Sequence, residues 1–595
     1  MNESPALASR LQELNDEDLA GLLSTRLSDL RAVNDFFDLA DRMLEPAWIE
    51  ATLAGLPRAT LARLASGQPI EPDGDVLPRL AALVLLTEKE GSLQPFSAVS
   101  AILAGWPARG LPTAAELADP SEPATRPRDV DEADTDLIAA ERAYAATAGV
   151  AELLHELRLF PARELAKGGV AAPDAKRLVL ALGIDVTGID PLLRLARIAG
   201  LVELSGMLWS ATETALPWLL LPATKRWSLL ATAWFDSLSP DIGAVLSQRA
   251  TEPWGDDAVH HLAWLYPGGG PLLAGRVREA LVGAEFLGIS ANGYPGAAAR
   301  ALLEPAAEPI EEVAEALLPA EDPHIYLQHD LSIIAPGPLT PHVDVRLRRL
   351  ADIEARGLAS TYRISGASVT RALADGETAA SILGFFSEVS LTGVPQPVEY
   401  LVTEASARFG LLRAGQTSPE NEPGTRSYVR GEDPSMLSTL AVDHSLSSLG
   451  LQRTGPNRLT SRLAFDTLFW MITDARYPIM AENQDGEPFA PVRAQPVAKE
   501  TVALADPVLT LVAKLRESGS DAMNSPEAWI ARQLEVAVRA KTPVSVSVAM
   551  PDGRTAAYLV TPLSMASGRL RAIDERAGVE RTLPVRSITA VGPAS

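Results

Sequence analysis

Apolar residues recur at helical spacing through the first stretch of the chain. Leu7, Leu11 and Leu14 fall at i, i+4 and i+7, one face of a helix. Asn15 or Asp16 is placed to cap a second helix running to Leu23, and residues 30–44 read as a third. Leu80, Leu83, Val84 and Leu86 carry the same stripe into residues 77–106, ahead of the turn Glu90-Gly91-Ser92. Residues 111–136 break the pattern. They are rich in Pro, Asp, Glu and Thr, with little apolar periodicity, and read as a solvated linker.

Residues 139–285 predict a second helical domain. A short helix over 163–167, the turn Gly168-Gly169, a helix over 173–182 and another over 191–198 precede a strand–turn–strand centred on Gly206. Helix–turn–helix followed by a small hairpin is the winged-helix pattern. This reading places Lys176 and Arg177 on the recognition helix, as nucleic-acid-binding candidates. The competing reading is a protein-docking wing, since two basic residues are few for a phosphate backbone and the region is acidic. Trp227, Leu230 and Trp234, at i, i+3 and i+7, predict core packing.

Residues 324–410 change character. Strands are predicted at 325–327 and 331–335, with a sharp turn at Pro336-Gly337-Pro338. A helix over 343–356, a strand over 360–364 and a helix over 368–374 ended by Asp375-Gly376 follow. Helices over 379–389 and 398–409 complete an α+β region. Residues 428–483 continue it, with 451–459 extended and 464–475 helical. After a proline-containing linker, residues 509–540 are helical. Val544, Val546 and Val548 then alternate, and Asp552-Gly553 marks a hairpin. Further strands at 556–560, 570–574, 581–585 and 588–591 predict a small antiparallel barrel.

The expectation is a multidomain chain, mainly α with α+β. It comprises a helical domain (1–110), an acidic linker (111–138), a winged-helix-like helical domain (139–322), an α+β domain (323–483), a linker (484–508), a helix (509–540) and a small SH3-like β-barrel (541–595).

Charge changes the functional picture. The 595 residues carry a net charge of −24, which makes the chain a poor general-purpose nucleic-acid binder. The excess is uneven: −22 over residues 1–323 and +3 over 541–595. Phosphate contact is therefore expected near the C-terminus or on a local patch. No cysteine is present, which excludes disulfides, thiolate metal sites and cysteine nucleophiles. The start, Met1-Asn2-Glu3-Ser4, lacks a signal-like apolar run. The most apolar stretch, residues 216–235, is interrupted by Pro217, Pro222, Lys225 and Arg226. A cytoplasmic protein without membrane contact is expected.

The search for catalytic chemistry is negative. No Gly is followed by Lys, so there is no P-loop to cradle phosphates. Asp131-Glu132-Ala133-Asp134 spells a helicase box, but Pro127-Arg128-Asp129-Val130 before it is not a strand that would aim carboxylates at magnesium. Gly268-Gly269-Gly270 lacks a basic partner and reads as a turn. His260 and His261 point apart on a helix, and His324 and His329 face opposite sides of a strand, so no metal or cofactor site is expected. Gly-x-Ser-x-Gly is also missing.

The block Tyr326-Leu327-Gln328-His329-Asp330-Leu331, Ala335-Pro336-Gly337-Pro338-Leu339, Tyr362-Arg363-Ile364, Ser368-Val369, Arg371-Ala372-Leu373 and Gly376 resembles a known domain. So do Pro395-Gln396-Pro397-Val398-Glu399-Tyr400-Leu401-Val402 and Ala407-Arg408-Phe409-Gly410. The domain is that of actinobacterial helicase-associated proteins, related to the N-terminal domain of XPB-type DNA helicases. Residues 428–481 extend the likeness, and Leu19-Ala20-Gly21-Leu22-Leu23 with Arg26 and Asp29-Leu30 fits the same proteins. In XPB-type helicases this domain precedes the motor, and a similar module occurs in the TFIIH subunit that docks onto XPB. The resemblance implies a non-catalytic partner of a separately encoded helicase or DNA-repair complex, with no cofactor. Gly578, Arg581, Leu583, Val585, Arg586 and Ile588 are similar to WYL-type domains of bacterial regulators, although Arg569-Leu570-Arg571 replaces the Trp-Tyr-Leu of that family. Arg569, Arg571, Arg581 and Arg586 are candidates for a basic surface that contacts DNA or RNA, or else a solvated face. A WYL-type transcription regulator with winged-helix DNA binding is the alternative expectation.

Overall fold

The computed structural model describes residues 4–24, 33–70, 85–89, 92–125, 131–304, 308–418, 422, 424–489, 491, 507–518, 530–531, 533–535, 537–538, 541, 543–550 and 554–593. The chain is multidomain and mainly helical, with several small, mostly antiparallel sheets. It divides into two compact units: residues 1–124, 259–276 and 501–595, and residues 125–258 and 277–500. Among the described residues no helix is long and apolar enough to cross a membrane.

In the first unit, helices Ser4–Glu13, Asp16–Ser24, Phe36–Met43, Pro46–Ala54 and Arg58–Ala65 follow the leucine periodicity. Asn15 caps the second, its Oδ1 accepting from Asp18 N at 2.7 Å. The third starts later than expected because Asp35 caps it, accepting from the Phe37 and Asp38 amides; Leu30 lies outside the described residues. The helical pattern expected across 77–106 is corrected over residues 86–95: Leu86–Lys89 pairs with Ser92–Pro95, while Leu85 and Ser97–Ala104 are helical. Four-residue runs flanking a turn are too short to nucleate a helix but satisfy each other's backbone as strands. Leu80, Leu83 and Val84 lie outside the described residues. The acidic linker is also shorter than expected, since Thr113 and Glu116 form a capping box on Ala114–Ala118.

Val512 and Leu515, on helix Pro507–Ser518, are buried in the same core as Leu11, Leu39, Met43 and Phe96. Lys514 Nζ donates to Val33 O at 2.8 Å. Most of 519–540 lies outside the described residues. In the tail, five antiparallel strands run in the spatial order Val579–Pro584, Arg569–Asp574, Thr555–Ala566, Val544–Ala549, Ile588–Pro593. Of the expected barrel, the described residues show a five-stranded antiparallel sheet, in which the two edge strands do not pair with each other. The 3-10 turn Val585–Ser587 separates the edges and leads the last strand to the opposite side, against Val544–Ala549. Asp552 and Gly553 lie outside the described residues.

The second unit begins with helix Glu132–Leu159, which Asp131 caps through the Ala133 amide. The helix starts inside the expected linker, and the Asp131–Asp134 letters are its first turn. Next come strand Ala162–Arg163, helices Ala172–Leu182 and Ile189–Ile198, and strands Val202–Ser205 and Leu208–Ala211, the last lying central in a three-stranded sheet. This is the winged-helix element order. It corrects the expected helix over 163–167: Arg163 pairs with Leu208 as a strand, and Glu164 N donates to Met207 O. Trp227, Leu230 and Trp234 are buried as the spacing predicts, and Trp227 Nε1 donates to Leu287 O at 2.9 Å.

Residues 324–489 hold two cores rather than one. The first sits under a four-stranded sheet ordered Asp352–Ala355, Ser360–Arg363, Ser332–Ala335, Tyr326–Leu327. The single helix expected over 343–356 is corrected to helix Pro341–Leu350 followed by strand Asp352–Ala355. Ala351 turns extended and sets Ile353 opposite Tyr362. The second core lies under a six-stranded sheet ordered Gln452–Gly455, Arg458–Ser461, Ser427–Gly431, Leu412–Gln416, Ile479–Glu482, Pro488–Phe489. Helices Pro434–Val442 and Phe465–Asp474 supply Leu437, Leu440, Leu468, Phe469 and Ile472 to it.

Candidate functional site

Helix Ile189–Ile198 directly precedes the hairpin, the place a recognition helix would take in a winged helix, whereas Lys176 and Arg177 sit on the helix before it. Those two residues lie on Ala172–Leu182. Lys176 is exposed. Arg177 is tied down: its guanidinium meets Glu156 at 3.1 Å and Asp174 at 3.2 Å, donates to Phe160 O at 3.0 Å, and lies over the Phe160 ring. Arg177 therefore braces the two helices and offers no charge outward.

The residues the sequence reading passed over are Arg194 and Arg197, on the exposed side of Ile189–Ile198. Both are engaged. Arg194 pairs with Glu279 at 2.5 Å, and Arg197 lies over the Trp209 ring at 5.9 Å. The hairpin tip beside them is apolar, with Leu208 46 % and Met207 41 % exposed. The signal was present in sequence, because the helix that abuts the hairpin is the one that follows Gly183 and Gly188.

The tail arginines separate. Along Arg569–Asp574 burial alternates, so Arg569 and Arg571 project together on the exposed face, as the strand period requires. Arg571 pairs with Glu580 at 2.6 Å. Arg581 stands opposite Ala572, on the inner side of the sheet. It bonds Asp574 at 2.6 Å and lies over the Tyr558 ring. Arg586 is exposed on the turn Val585–Ser587. Of the four arginines, Arg569 and Arg571 thus share a face, while Arg581 stands on the other with 37 % of its side chain exposed.

The most built site in the second unit is a cavity of about 890 Å³. Helix Glu132–Leu159 lines one side with Tyr144 and Glu152; Asp344, Arg348, Arg356 and Tyr362 line the other. Arg348 is its hub. Its Nε donates to both Asp344 oxygens at 3.0 and 2.9 Å. Its two terminal nitrogens reach the two Glu152 oxygens, Nη1 at 3.0 Å. Arg356 adds a contact to Glu152 at 3.4 Å, and Tyr362 Oη donates to Asp344 at 3.2 Å.

Burial alone would raise both carboxyls, but the Arg348 charge and hydrogen bonds more than offset it and hold both below the ordinary carboxylate range. Burial likewise opposes the Arg348 charge, yet its two carboxylates leave it more firmly protonated than usual. His155, one turn along from Glu152, is pushed down to about 4 by burial, with Arg348 adding repulsion. It is neutral at neutral pH. Deeper in the cavity wall, Arg226 pairs with Glu321 at 3.5 Å, and Glu321 accepts from Ala223 N at 2.7 Å. Burial raises Glu321 and lowers Arg226.

This network fastens the winged helix to the four-stranded domain. Its lone pairs and protons are spent on each other, as in a structural strut. Elsewhere, His324 bonds Asp322 at 2.7 Å, while His329 is exposed. Among the described residues no three His, Asp or Glu side chains stand together as a metal set.

No curated protein matches the chain. A family model described as helicase conserved C-terminal domain matches residues 325–455. The match takes in the whole four-stranded domain and ends inside the six-stranded sheet, at the last residue of Gln452–Gly455. The chain thus contains a helicase-associated domain, bonded through Arg348 to helix Glu132–Leu159, and this points to a helicase-related nucleic-acid function.

Proposed function

We propose that this chain is a non-catalytic accessory protein that docks on an XPB-type DNA helicase or a related DNA-repair complex. One observation carries the reading. The winged-helix segment, bonded through Arg348 to the helicase-associated domain, has Arg194 ion-paired and Arg197 over the Trp209 ring on the helix before its hairpin, and the hairpin tip is apolar. A DNA-reading wing needs unpaired cations against phosphate. An apolar tip ringed by polar residues suits a protein surface. A WYL-type regulator, the other expectation, requires the first arrangement.

The test is direct mixing of the full chain with a purified XPB-type helicase. Co-elution on size exclusion and a changed ATPase rate are expected, and Leu208→Asp with Met207→Asp should abolish both. Separate elution together with an unchanged ATPase rate would overturn the proposal.

A further inference from the structure

Among the described residues, helices Pro434–Val442 and Phe465–Asp474 pack on one face of the six-stranded sheet. Leu412, Ala414, Val429, Leu459, Ile479 and Ala481 point into that packed side. Alternate residues point to the other face, and there the register aligns three arginines. Arg413 stands directly opposite Arg430, and Arg430 directly opposite Arg458, across three adjacent strands. Each keeps a third or more of its side chain exposed.

Like charges directly opposite on a sheet are destabilising, so stability does not account for the row. Its neutralisation is partial. Glu482, fully buried beneath it, accepts both Arg430 nitrogens and Tyr428 Oη at 2.8 Å, and Arg413 approaches only to 3.6 Å. Arg458 pairs with Glu422 at 3.1 Å and covers the Tyr428 ring, but its Nε makes no hydrogen bond. Arg426 and Arg462 are exposed at the ends of the same two strands, joined by the bond from Arg426 N to Ser461 O, and neither makes an ion pair among the described residues.

The geometry points to this open face as a binding site for the phosphate backbone of single-stranded nucleic acid. Strands lie about 4.8 Å apart, so the row is about 10 Å long and matches about three phosphates at the roughly 3.4 Å rise of one stacked strand. Tyr428 lies beneath Arg458 and presents no ring for base stacking, so the contact is to phosphates and does not depend on sequence. In a chain of net charge −24 this concentrates positive charge where the rest of the surface repels. The site is independent of the docking reading, and the isolated chain is sufficient to test it.

The experiment is fluorescence anisotropy of the full chain with a labelled oligothymidylate, titrated at several salt concentrations. Affinity should fall with salt, and the log–log slope should drop by about 0.7 for each phosphate-contacting arginine removed. Arg413→Gln leaves Glu482 its Arg430 and Tyr428 partners. Arg426→Gln removes no side-chain ion pair among the described residues and leaves the backbone bonds to Ser461 and Thr417, so its effect is not a folding defect. Both should flatten the slope, whereas Arg569→Gln with Arg586→Gln in the tail should not. Three results would overturn the proposal: no binding by the native chain at low salt, a slope changed only by the tail variant, or displacement by polyglutamate at equal charge concentration, which would mark the face as a dock for an acidic protein.

Discussion

Arginine meets carboxylate in two contrasting ways within the second unit. At the winged-helix junction a single buried guanidinium lies between two carboxylates, Glu152 and Asp344. On the six-stranded sheet two of three aligned guanidiniums, Arg413 and Arg430, share one buried carboxylate, Glu482, and the third, Arg458, pairs with the partly exposed Glu422. In the first case charge is consumed inside the protein and the result is rigidity. In the second, charge is left over at the surface and is available to a ligand. The ratio of partners, more than the number of arginines, separates a strut from a site.

The sharpest way to break this contrast is to remove the strut. Arg348→Met leaves Glu152 only the longer Arg356 contact and Asp344 only the Tyr362 hydroxyl, and should destabilise the second unit by about 3–5 kcal/mol, read as a lower urea midpoint. Adding Glu152→Leu and Asp344→Leu should recover most of the loss. A wild-type midpoint in the single variant would show the network to be ornamental.

Acid should distinguish the strut next. His155 is neutral when folded, but the unfolded chain takes up its proton below about pH 6.5. The unfolded state therefore binds more protons as pH falls, and between pH 6.5 and 5 the His155 share of stability should drop by about 2 kcal/mol. His155→Gln should remove that slope when urea midpoints are compared at the two pH values. The Glu152 and Asp344 contribution has a lower window. It is complete above the ordinary carboxylate range and is lost only as pH falls through their depressed folded values.

On the open sheet face the relevant change is steric. A Cβ at Gly415 would meet Tyr428 Oη at 2.6 Å. Gly415→Ala should therefore push the tyrosine off Glu482, at a cost of about 1–3 kcal/mol, visible as a lower melting temperature. The smallest effect is expected at Lys176. It is exposed and outside the recognition position, so Lys176→Ala should move stability by less than about 0.5 kcal/mol and leave helicase co-elution unchanged.

Local patterns in the chain were legible where one element decides its own fate. The Trp227, Leu230 and Trp234 stripe, the alternation that sets Arg569 beside Arg571, and the strand–turn–strand of the wing all follow from period and turn chemistry. The errors came where competing local structures were nearly equal. Residues around 86 have helical spacing but pair as a hairpin, and the helix from Pro341 gives way at Ala351 to a strand that finds Tyr362. The hairpin was legible, yet the helix expected over 163–167 was not there, because Arg163 joins Leu208 only through long-range pairing.

The amino-acid sequence by itself determined the periodicities, the cap at Asn15, the uneven charge and the helicase-associated likeness. Tertiary structure alone decided which arginines are consumed. Arg348 reaches Glu152 across 196 positions, and Arg413, Arg430 and Arg458 come into line only when three strands choose their register. Charge is written along the chain, but its neutralisation depends on distances of a few ångströms, and those are set by how the sheets and helices pack.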